Sequence, residues 1–484
     1  MQFVRGDTLG YLSYRLHQLP RVLKIGGVLL GLLGLTLLIG LLGGSGRIIP
    51  MLALVVLPFM AVSFGASVRY FDTLVLILPL TALVLRFIEL PTGTQSTLPA
   101  SLVLTLGMVA IWVLTMIVRR EWQVPASPFT WPLLIFMLIC IISLPWGILW
   151  RDPILNMRVM GGNFLVTQVG SLMTMISLMC VPFLVGHFVD QEWKIKFYVG
   201  CFIVVGVLMT ATQFLNIRQN ILNDRGSWGL WLTVPLFTML LFTPSLRWRW
   251  RALLIGLIGW HLYLVVGLNT SWLSGWLPTV VAMLLVLFVR SRLVFTILLA
   301  FALAFTILGP AREHIEQVVA EEIDEGGMER LDIWGRNFGV IMDHWFLGTG
   351  PAGYAPYNMT YFPWDARSTH NNHMDILAQF GFVGMAVWIW FTVASVRYGW
   401  RVFRQAPEGF LRIVALTAVT GWIGAQVSMI FGDWMLPFAY NQSIAGFSYI
   451  VYNWIFLGLM ISIDHVSQAA EPIAAPQYEA LARR

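Results

Sequence analysis

The sequence has 484 residues, of which 58% are hydrophobic and 11% are charged, and its formal net charge is +6. A soluble domain carries about 25% charged residues, so the composition excludes an ordinary water-soluble protein. Apolar runs of about 18–22 residues recur, the length that crosses about 30 Å of hydrocarbon, whereas the strands of a membrane barrel would show only weak alternation. The basic residues lie between these runs, so topology explains them better than a nucleic-acid partner. We therefore predict an all-α polytopic membrane protein.

About 14 transmembrane helices are predicted, after an N-terminal segment at 1–24. The predicted spans are 25–44, 48–65, 69–87, 99–118, 129–149, 167–187, 196–214, 229–245, 251–268, 273–289, 293–309, 373–396, 411–430 and 445–463. The first eleven fall within 25–309 and the last three within 373–463. A polar tail, 464–484, follows them.

The basic residues predict which side of the membrane each connection occupies, because Lys and Arg are retained on the cytoplasmic side. A cytoplasmic N-terminus places nearly all of the basic clusters on that side. These clusters are Arg69, Arg119 with Arg120, Lys194 with Lys196, 247–251, Arg290 with Arg292, and 397–404. A miscount by one span would break the alternation, so the agreement supports the count and predicts that both termini are cytoplasmic.

The longest connection, 310–372, is predicted to be an outer loop. Helix-forming residues dominate its first part, and the Gly pair at 326–327 ends that part. A second amphipathic segment follows, and such a helix suits the membrane interface. Its apolar positions are Leu331, Trp334, Phe338, Ile341 and Trp345.

The outer loop re-enters the membrane through the sequence STHNNHMDILAQFGFVG at 368–384. His370 and His373 could act as neutral bases near physiological pH, or each could be a packing or capping residue. Asn371 could cap the following helix or hold a substrate hydroxyl. The two histidines with Asp375 could suggest a metal, but they lack a recognised ligand spacing, so we predict neither a metal nor a cofactor.

Several arginines lie in the predicted outer connections. They are Arg330 and Arg336 in the large loop, Arg225 in 216–229, and Arg151 and Arg158 in a third connection. Guanidinium groups are permanently charged, bidentate donors that suit a diphosphate. The alternative is that each one reaches lipid headgroups or pairs with loop carboxylates.

Four short motifs follow one another in the large loop and the span after it: Arg330-x-x-x-Trp334, Gly348-x-Gly350, His370-Asn371 followed by Met374, and Gly381-x-x-Gly384. The last two glycines are expected to allow close packing inside the helix. The order of these motifs resembles that of the O-antigen ligase-like family, which includes O-antigen ligases, Wzy-type O-antigen and exopolysaccharide polymerases, and O-oligosaccharyltransferases. The specific motifs cover about 328–386, and the arrangement of spans matches over most of the chain.

This resemblance implies a GT-C-like glycosyltransferase of the bacterial inner membrane whose active site faces the periplasm. It assigns catalytic roles to His370, Arg330 and Arg225, and it leaves Arg336, Asn371, His373, Arg151 and Arg158 as substrate-binding candidates. Two departures from the family pattern are Trp272, where relatives often have arginine, and His373, where an aromatic residue is usual.

The resemblance implies an inverting, metal-independent transfer from an undecaprenyl-diphosphate-linked oligosaccharide. We expect a Wzy-type polymerase of exopolysaccharide or O-antigen. An O-antigen ligase acting on a lipid A-core acceptor is the alternative in the same class. A non-enzymatic transporter or flippase of lipid-linked glycans is the alternative of another class. Membrane lipids and a chain-length regulator are the further expected partners.

Overall fold

The computed structural model describes residues 71–84, 88–91, 97–155, 164–217, 221–222, 226–267, 273–308, 328–364 and 368–470. The helices in chain order are α1 Phe71–Leu76, α2 Leu78–Val84, α3 Ala100–Arg119, α4 Thr130–Leu149, α5 Phe164–Phe188, α6 Glu192–Phe214, α7 Trp228–Phe242, α8 Trp248–Leu262, α9 Leu273–Arg290, α10 Arg292–Leu308, α11 Met328–Asp343, α12 Ala355–Tyr361, α13 Asn372–Gln405, α14 Phe410–Ser428 and α15 Phe447–Ala470. Strands β1, Glu89–Pro91, and β2, Thr97–Pro99, form a short antiparallel hairpin.

Within the described residues, each of the twelve spans predicted from 69 to 463 overlaps apolar helix. Within the described ranges, nine helices are long and apolar enough to cross a membrane, and shorter apolar helices occupy Phe71–Val84, Trp228–Phe242 and Arg292–Phe301. The protein is therefore a helical, multi-pass membrane protein. The predicted spans 25–44 and 48–65 lie outside the described residues.

The helices pack around α15, which is buried along most of its length and lies against α5. Aromatic side chains fill the centre of the bundle: Phe391 stacks on Trp454 at 6.0 Å, and Trp388 and Trp422 contact both rings. By contrast, α3, α8 and α9 bury little of their apolar surface inside the protein, as expected for helices that face lipid. The last helix runs to Ala470, beyond the predicted span end at 463.

The predicted second amphipathic segment of the large loop is confirmed as α11. One side of α11 packs against α13 and buries Ile333, Val340 and Ile341. Its other side exposes Leu331 and Phe338. This helix therefore carries two apolar faces, only one of which is covered by protein.

Candidate active site

His370 lies immediately before α13 in a left-handed backbone conformation, with a φ of 48°. The next residue, Asn371, is the N-cap of α13. Its side-chain oxygen accepts hydrogen bonds from the backbone N–H groups of His373 at 2.9 Å and Met374 at 3.2 Å. The prediction that Asn371 caps the helix is confirmed. Because a cap fixes the chain at the helix start, it also holds His370 at the mouth of α13, where its side chain is half-buried.

The imidazole of His370 contacts the connection between α14 and α15. Its Nδ1 lies 3.4 Å from Nδ2 of Asn441, and the same amide nitrogen lies 2.7 Å from Oδ2 of Asp433. Asp433 is completely buried. Because heavy-atom positions alone do not distinguish the two ends of a side-chain amide, either end of the Asn441 amide can face His370.

Asp433 is paired with a second buried carboxyl group, that of Asp375 in α13. Burial, and then the neighbouring Asp375, raise the pKa of Asp433 well above its usual range. Oδ1 of Asp433 has no ordinary hydrogen-bond donor within reach among the described residues. Two adjacent carboxylates do not both ionise readily, so Asp433 is the protonated, neutral member of the pair.

Neutral groups donate to the other carboxyl group of the pair. Oδ1 of Asp375 accepts from the hydroxyl groups of Tyr354 and Thr369, both at 2.6 Å. Oδ2 accepts from the side-chain amide of Asn372 at 3.3 Å. Because hydrogen bonds favour the charged form of a carboxyl group, these donors make Asp375 the partner better suited to carry the negative charge.

Asn372 fixes the connection that carries Asp433. Its Oδ1 accepts from the backbone N–H groups of Met435 at 2.8 Å and Leu436 at 3.1 Å, and its Nδ2 donates to the carbonyl oxygen of Leu436 at 2.8 Å. Its own backbone N–H donates to the carbonyl oxygen of Met429 at 2.8 Å. Asn372 therefore makes four hydrogen bonds to backbone groups of Met429, Met435 and Leu436, three of them through its side chain. These bonds hold the connection that carries Asp433 beside α13.

Helix α13 is interrupted at Gly381, where φ is 66° and ψ is −169°. The predicted span 373–396 lies within α13, and the structure adds a break in the helix at this residue. The carbonyl oxygens of Ala378 and Gln379 instead accept from the backbone N–H groups of Thr349 and Gly350, both at 2.9 Å. An unsatisfied backbone group is costly inside a membrane protein, and the Gly348-x-Gly350 motif supplies the missing donors.

The N–H groups released by this break are also satisfied. Phe382 donates to the carbonyl oxygen of Trp345 at 2.7 Å, and Val383 donates to that of Phe346 at 3.4 Å. A side chain at Gly381 would place its Cβ 2.2 Å from the carbonyl oxygen of Phe346. The two glycine motifs thus form one structure, in which the large loop returns between α4 and α13 and braces the first turns of α13.

Helix α11 reaches the site through Trp334, whose indole N–H donates to the carbonyl oxygen of Thr369 at 2.8 Å. Position 330 lies one helical turn before Trp334 on the same face, and the side chain of Arg330 is outside the described atoms. The guanidinium of Arg336 lies over the ring of Phe362 at 4.9 Å and is half-buried.

Arg151 lies between α4 and α5, where its guanidinium donates to Gln168 at 3.4 Å and lies 5.1 Å from the ring centre of Phe164. Burial lowers the pKa of Arg151. Asp152 accepts from the hydroxyl of Tyr361 at 2.6 Å, so this connection is fastened to α12 of the large loop. Arg158 lies outside the described residues.

Arg225 also lies outside the described residues, but the structure describes the chain from Gly226 onward. The hydroxyl of Ser227 lies 3.0 Å from Oδ1 of Asn453. The amide nitrogen of Asn453 donates to the carbonyl oxygen of Trp434 at 3.0 Å. Trp434 follows Asp433 directly, so Asn453 links the start of α7 to the connection that His370 contacts.

The possibility of a metal at His370, His373 and Asp375 was raised by the sequence. Within the described ranges no group of three His, Cys, Asp or Glu side chains could hold a metal ion. The carboxyl group of Asp375 is occupied by Thr369, Tyr354 and Asn372.

Four residues of this site were not singled out from the sequence: Tyr354, Asn372, Asp433 and Asn441. A usable signal was present in the short connection FGDWMLPFAYNQ at 431–442, where Asp433 is the only charged residue between two spans. A lone carboxylate in an otherwise apolar stretch is costly to bury unless it is satisfied, and this makes Asp433 a candidate site residue.

Residues 221–389 match the family model described as O-Antigen ligase. The resemblance to the O-antigen ligase-like family is thereby confirmed for this segment. No curated protein matches the chain.

The matched segment runs from just before α7 to the middle of α13 and includes His370 and both glycine motifs. It supports a membrane glycan-processing function of the O-antigen ligase or polymerase type, with a lipid-linked glycan donor and a glycan or lipid acceptor. Asp433 and Asn441 lie beyond its end, so the site contains residues from outside the matched segment.

Proposed function

We propose that the protein is an inverting, metal-independent glycosyltransferase that extends undecaprenyl-diphosphate-linked glycans, and that it is a Wzy-type polymerase of exopolysaccharide or O-antigen. The observation that carries the proposal is the fixed position of His370. Three contacts fix this part of the chain. The Asn441 amide contacts the imidazole of His370, Asn371 caps the helix after it, and Trp334 donates to the carbonyl oxygen of Thr369 before it.

The architecture in this proposal is GT-C-like, with about 14 spans in the bacterial inner membrane. The segment 1–24 and the tail 464–484 are cytoplasmic, and the large loop 310–372 is periplasmic. The spans occupy 25–309 and 373–463. This orientation follows from the distribution of basic residues, and it places His370 on the periplasmic side.

In the proposed reaction, the acceptor hydroxyl oxygen attacks the anomeric carbon of the donor sugar from the face opposite the diphosphate. The new glycosidic bond forms as the bond from that carbon to the diphosphate oxygen breaks. The hydroxyl proton moves to Nε2 of His370, a contribution worth about 10²–10⁴-fold in rate for a general base. The diphosphate is already a good leaving group, so no strong acid is required.

Arg330 and Arg225 are proposed to stabilise the charge that builds on the diphosphate. Position 330 shares a helix face with Trp334, which contacts the residue before His370. Residue 225 precedes the Gly226–Ser227 turn, which contacts Asn453 in the same part of the molecule. Arg336, Asn371, His373, Arg151 and Arg158 are proposed to line the donor or acceptor path.

The proposed base needs a particular tautomer. Nε2 can accept a proton only if Nδ1 carries the hydrogen, and Nδ1 then requires an acceptor. The oxygen of the Asn441 amide serves as this acceptor if Asp433, as a carboxylic acid, donates to the same oxygen. Burial favours the acid form of Asp433. The buried pair is thus proposed to position His370 for proton transfer.

A reconstitution assay tests the catalytic assignment. Purified wild-type protein, given lipid-linked repeat units alone, is expected to lengthen them. His370→Ala should abolish elongation yet bind the donor with unchanged affinity, while His465→Ala, at an exposed position near the end of α15, serves as the matched control. Full activity of His370→Ala would refute the base and would favour transport of lipid-linked glycan.

The same assay separates the two enzymatic alternatives. If donor alone is not lengthened but lipid A-core added to the reaction becomes glycosylated, the protein is a ligase. A chain-length regulator is expected to change the length distribution of the product, not the requirement for His370.

The arginine assignment needs a binding measurement. Arg225→Ala and Arg330→Ala should each weaken binding of the lipid-diphosphate donor far more than binding of the free glycan. Equal loss for donor and free glycan would show that neither arginine recognises the diphosphate.

A further inference from the structure

A cavity of about 640 Å³ lies at the end of the bundle opposite His370. It is formed where α7 ends and α14 begins, and Met239, Phe242, Phe410 and Ile413 give it apolar walls. Helix α14 separates it from the candidate active site: nineteen residues join Phe410 to Ser428, or about 28 Å at 1.5 Å per residue. The next residue, Met429, accepts a hydrogen bond from Asn372.

Cations surround the mouth of this cavity, which we call the basic cavity. The side chain of Arg412 lines it. Arg290 lies 5.8 Å from the ring of Phe242, and Lys196 lies 5.6 Å from the ring of Phe410. Both rings line the cavity, so these two cations lie next to its wall.

A fourth cation shapes the edge of the basic cavity. The guanidinium of Arg251 donates to the carbonyl oxygens of Pro244 at 2.8 Å and Leu246 at 3.1 Å. Pro244 lines the cavity together with Ser245. Arg251 therefore holds the turn after α7 in place and leaves its positive charge beside the opening.

The carboxylates at this end only partly neutralise these cations. Glu408 lies 3.6 Å from Arg412, and its side chain is 93% exposed. Glu192 lies 2.8 Å from Lys196. Set against Arg251, Arg290, Arg412 and Lys196, these two carboxylates leave a positive surplus at the rim. A solvent-exposed pair of this kind holds its partner weakly, so Arg412 can exchange Glu408 for another anion.

Apolar walls below a basic rim, between the ends of membrane helices, suit one class of ligand. An acyl chain fits the walls, and a phosphate headgroup fits the cations. We propose that the basic cavity is a binding site for an anionic phospholipid, whose phosphate lies between Arg290 and Arg412 and one of whose acyl chains enters between α7 and α14. The positive rim discriminates against zwitterionic lipids, because basic side chains near a membrane surface attract net negative headgroups.

Lipid titration of the intact, detergent-purified protein, followed by native mass spectrometry, tests this site. Wild type is expected to retain phosphatidylglycerol in preference to phosphatidylcholine. The double variant Arg290→Ala/Arg412→Ala should lose that preference, at about fivefold for each arginine. The double variant Arg119→Ala/Arg120→Ala is the matched control, because it removes two basic residues at the end of α3 and should bind as wild type.

A second variant tests the acyl-chain half of the site. Ser245 is exposed at the rim, so Ser245→Trp should fold and should obstruct the cavity, lowering retention of both lipids. Three results would overturn the proposal. They are equal retention of the two lipids by wild type, an equal loss in the Arg119→Ala/Arg120→Ala control, or unchanged retention by Ser245→Trp. Glycan elongation does not enter this readout, so the two proposals fail independently.

Discussion

The two ends of the helix bundle differ in how far their charged groups are buried and paired. At the His370 end, Asp433 and Asp375 are buried and tied to neutral donors and to each other. At the basic cavity, Glu408 and the cations are exposed, stacked on aromatic rings or loosely paired. A buried polar group costs free energy unless it is satisfied, whereas an exposed one costs little. This difference in burial and pairing suits the His370 end to a fixed geometry and the opposite end to contact with the membrane surface.

The largest expected difference in thermal stability is between alanine substitutions at two glycines with positive φ. Gly381 has a φ of 66°, and a Cβ added there would lie 2.2 Å from a backbone oxygen, while Gly409 has a φ of 110° and open space around it. Gly409→Ala should cost about 1–3 kcal/mol of backbone strain. Gly381→Ala adds a clash with the carbonyl oxygen of Phe346, so its loss of thermal stability in detergent should be clearly greater.

Equal losses for these two alanine variants would contradict the comparison. They would mean that the brace between the large loop and α13 is no tighter than the turn before α14. Gly339→Ala, in α11 where an added Cβ would meet no atom within 4 Å, is the control and should be neutral or slightly stabilising.

Substitution of the buried Asp433 should have a larger effect than substitution of the exposed Glu408. Asp433→Leu removes the donor to Asn441 and is expected to lower elongation by about tenfold or more, a loss of about 1.4 kcal/mol in transition-state stabilisation. Asp433→Asn keeps a donor and should retain most activity. Glu408→Gln should change stability by less than about 0.5 kcal/mol.

The pH dependence of the same variants identifies the role of Asp433 as positioning. Its pKa is raised by burial and by Asp375, so the acid form stabilises the fold at low pH, and this contribution is lost as pH rises through the raised pKa. The elongation rate of the wild type should therefore fall as pH rises through the raised pKa of Asp433. The elongation rate of Asp433→Asn should not fall over the same pH range. If Asp433→Asn were as inactive as Asp433→Leu, Asn441 would instead donate to His370.

Loss of the helix cap should have an intermediate effect. Asn371→Ala leaves the N–H groups of His373 and Met374 without their acceptor and should cost about 1 kcal/mol. Asn371→Ser should retain most of the stability that Asn371→Ala loses, because serine is also a good N-cap residue. The N-cap of α14, Gly409, has no side-chain hydrogen bond, so the start of α14 does not depend on such a cap. Thermal scans in detergent measure both variants.

The smallest effect is expected at the exposed bond between Tyr361 and Asp152. The hydroxyl of Tyr361 lowers the pKa of Asp152. The bond therefore adds stability above the unfolded-state pKa of Asp152, and this stability disappears as pH falls through the lowered pKa. Tyr361→Phe should reduce thermal stability at neutral pH by less than Asn371→Ala does, and the difference from wild type should vanish in acid.

The helices between residues 69 and 463 could be predicted from the sequence because each span is a long apolar run, a signal carried by neighbouring residues alone. The Asn371 cap could also be predicted, since a cap acts within three residues of itself. The glycine motifs were found as a pattern, but their joint role was not, because Gly348 and Gly381 meet only when the large loop folds back onto α13.

The amino-acid sequence is enough to predict a helical membrane protein and to locate its spans between residues 69 and 463. The tertiary structure was needed to show that Asn441 contacts His370 and that Asp433 contacts Asn441, more than sixty residues later in the chain. The difference lies in the sequence distance over which each feature is encoded. Hydrophobic length and helix capping are local properties, whereas a buried carboxyl pair depends on which helix ends the fold brings together, and no short stretch of residues encodes that meeting.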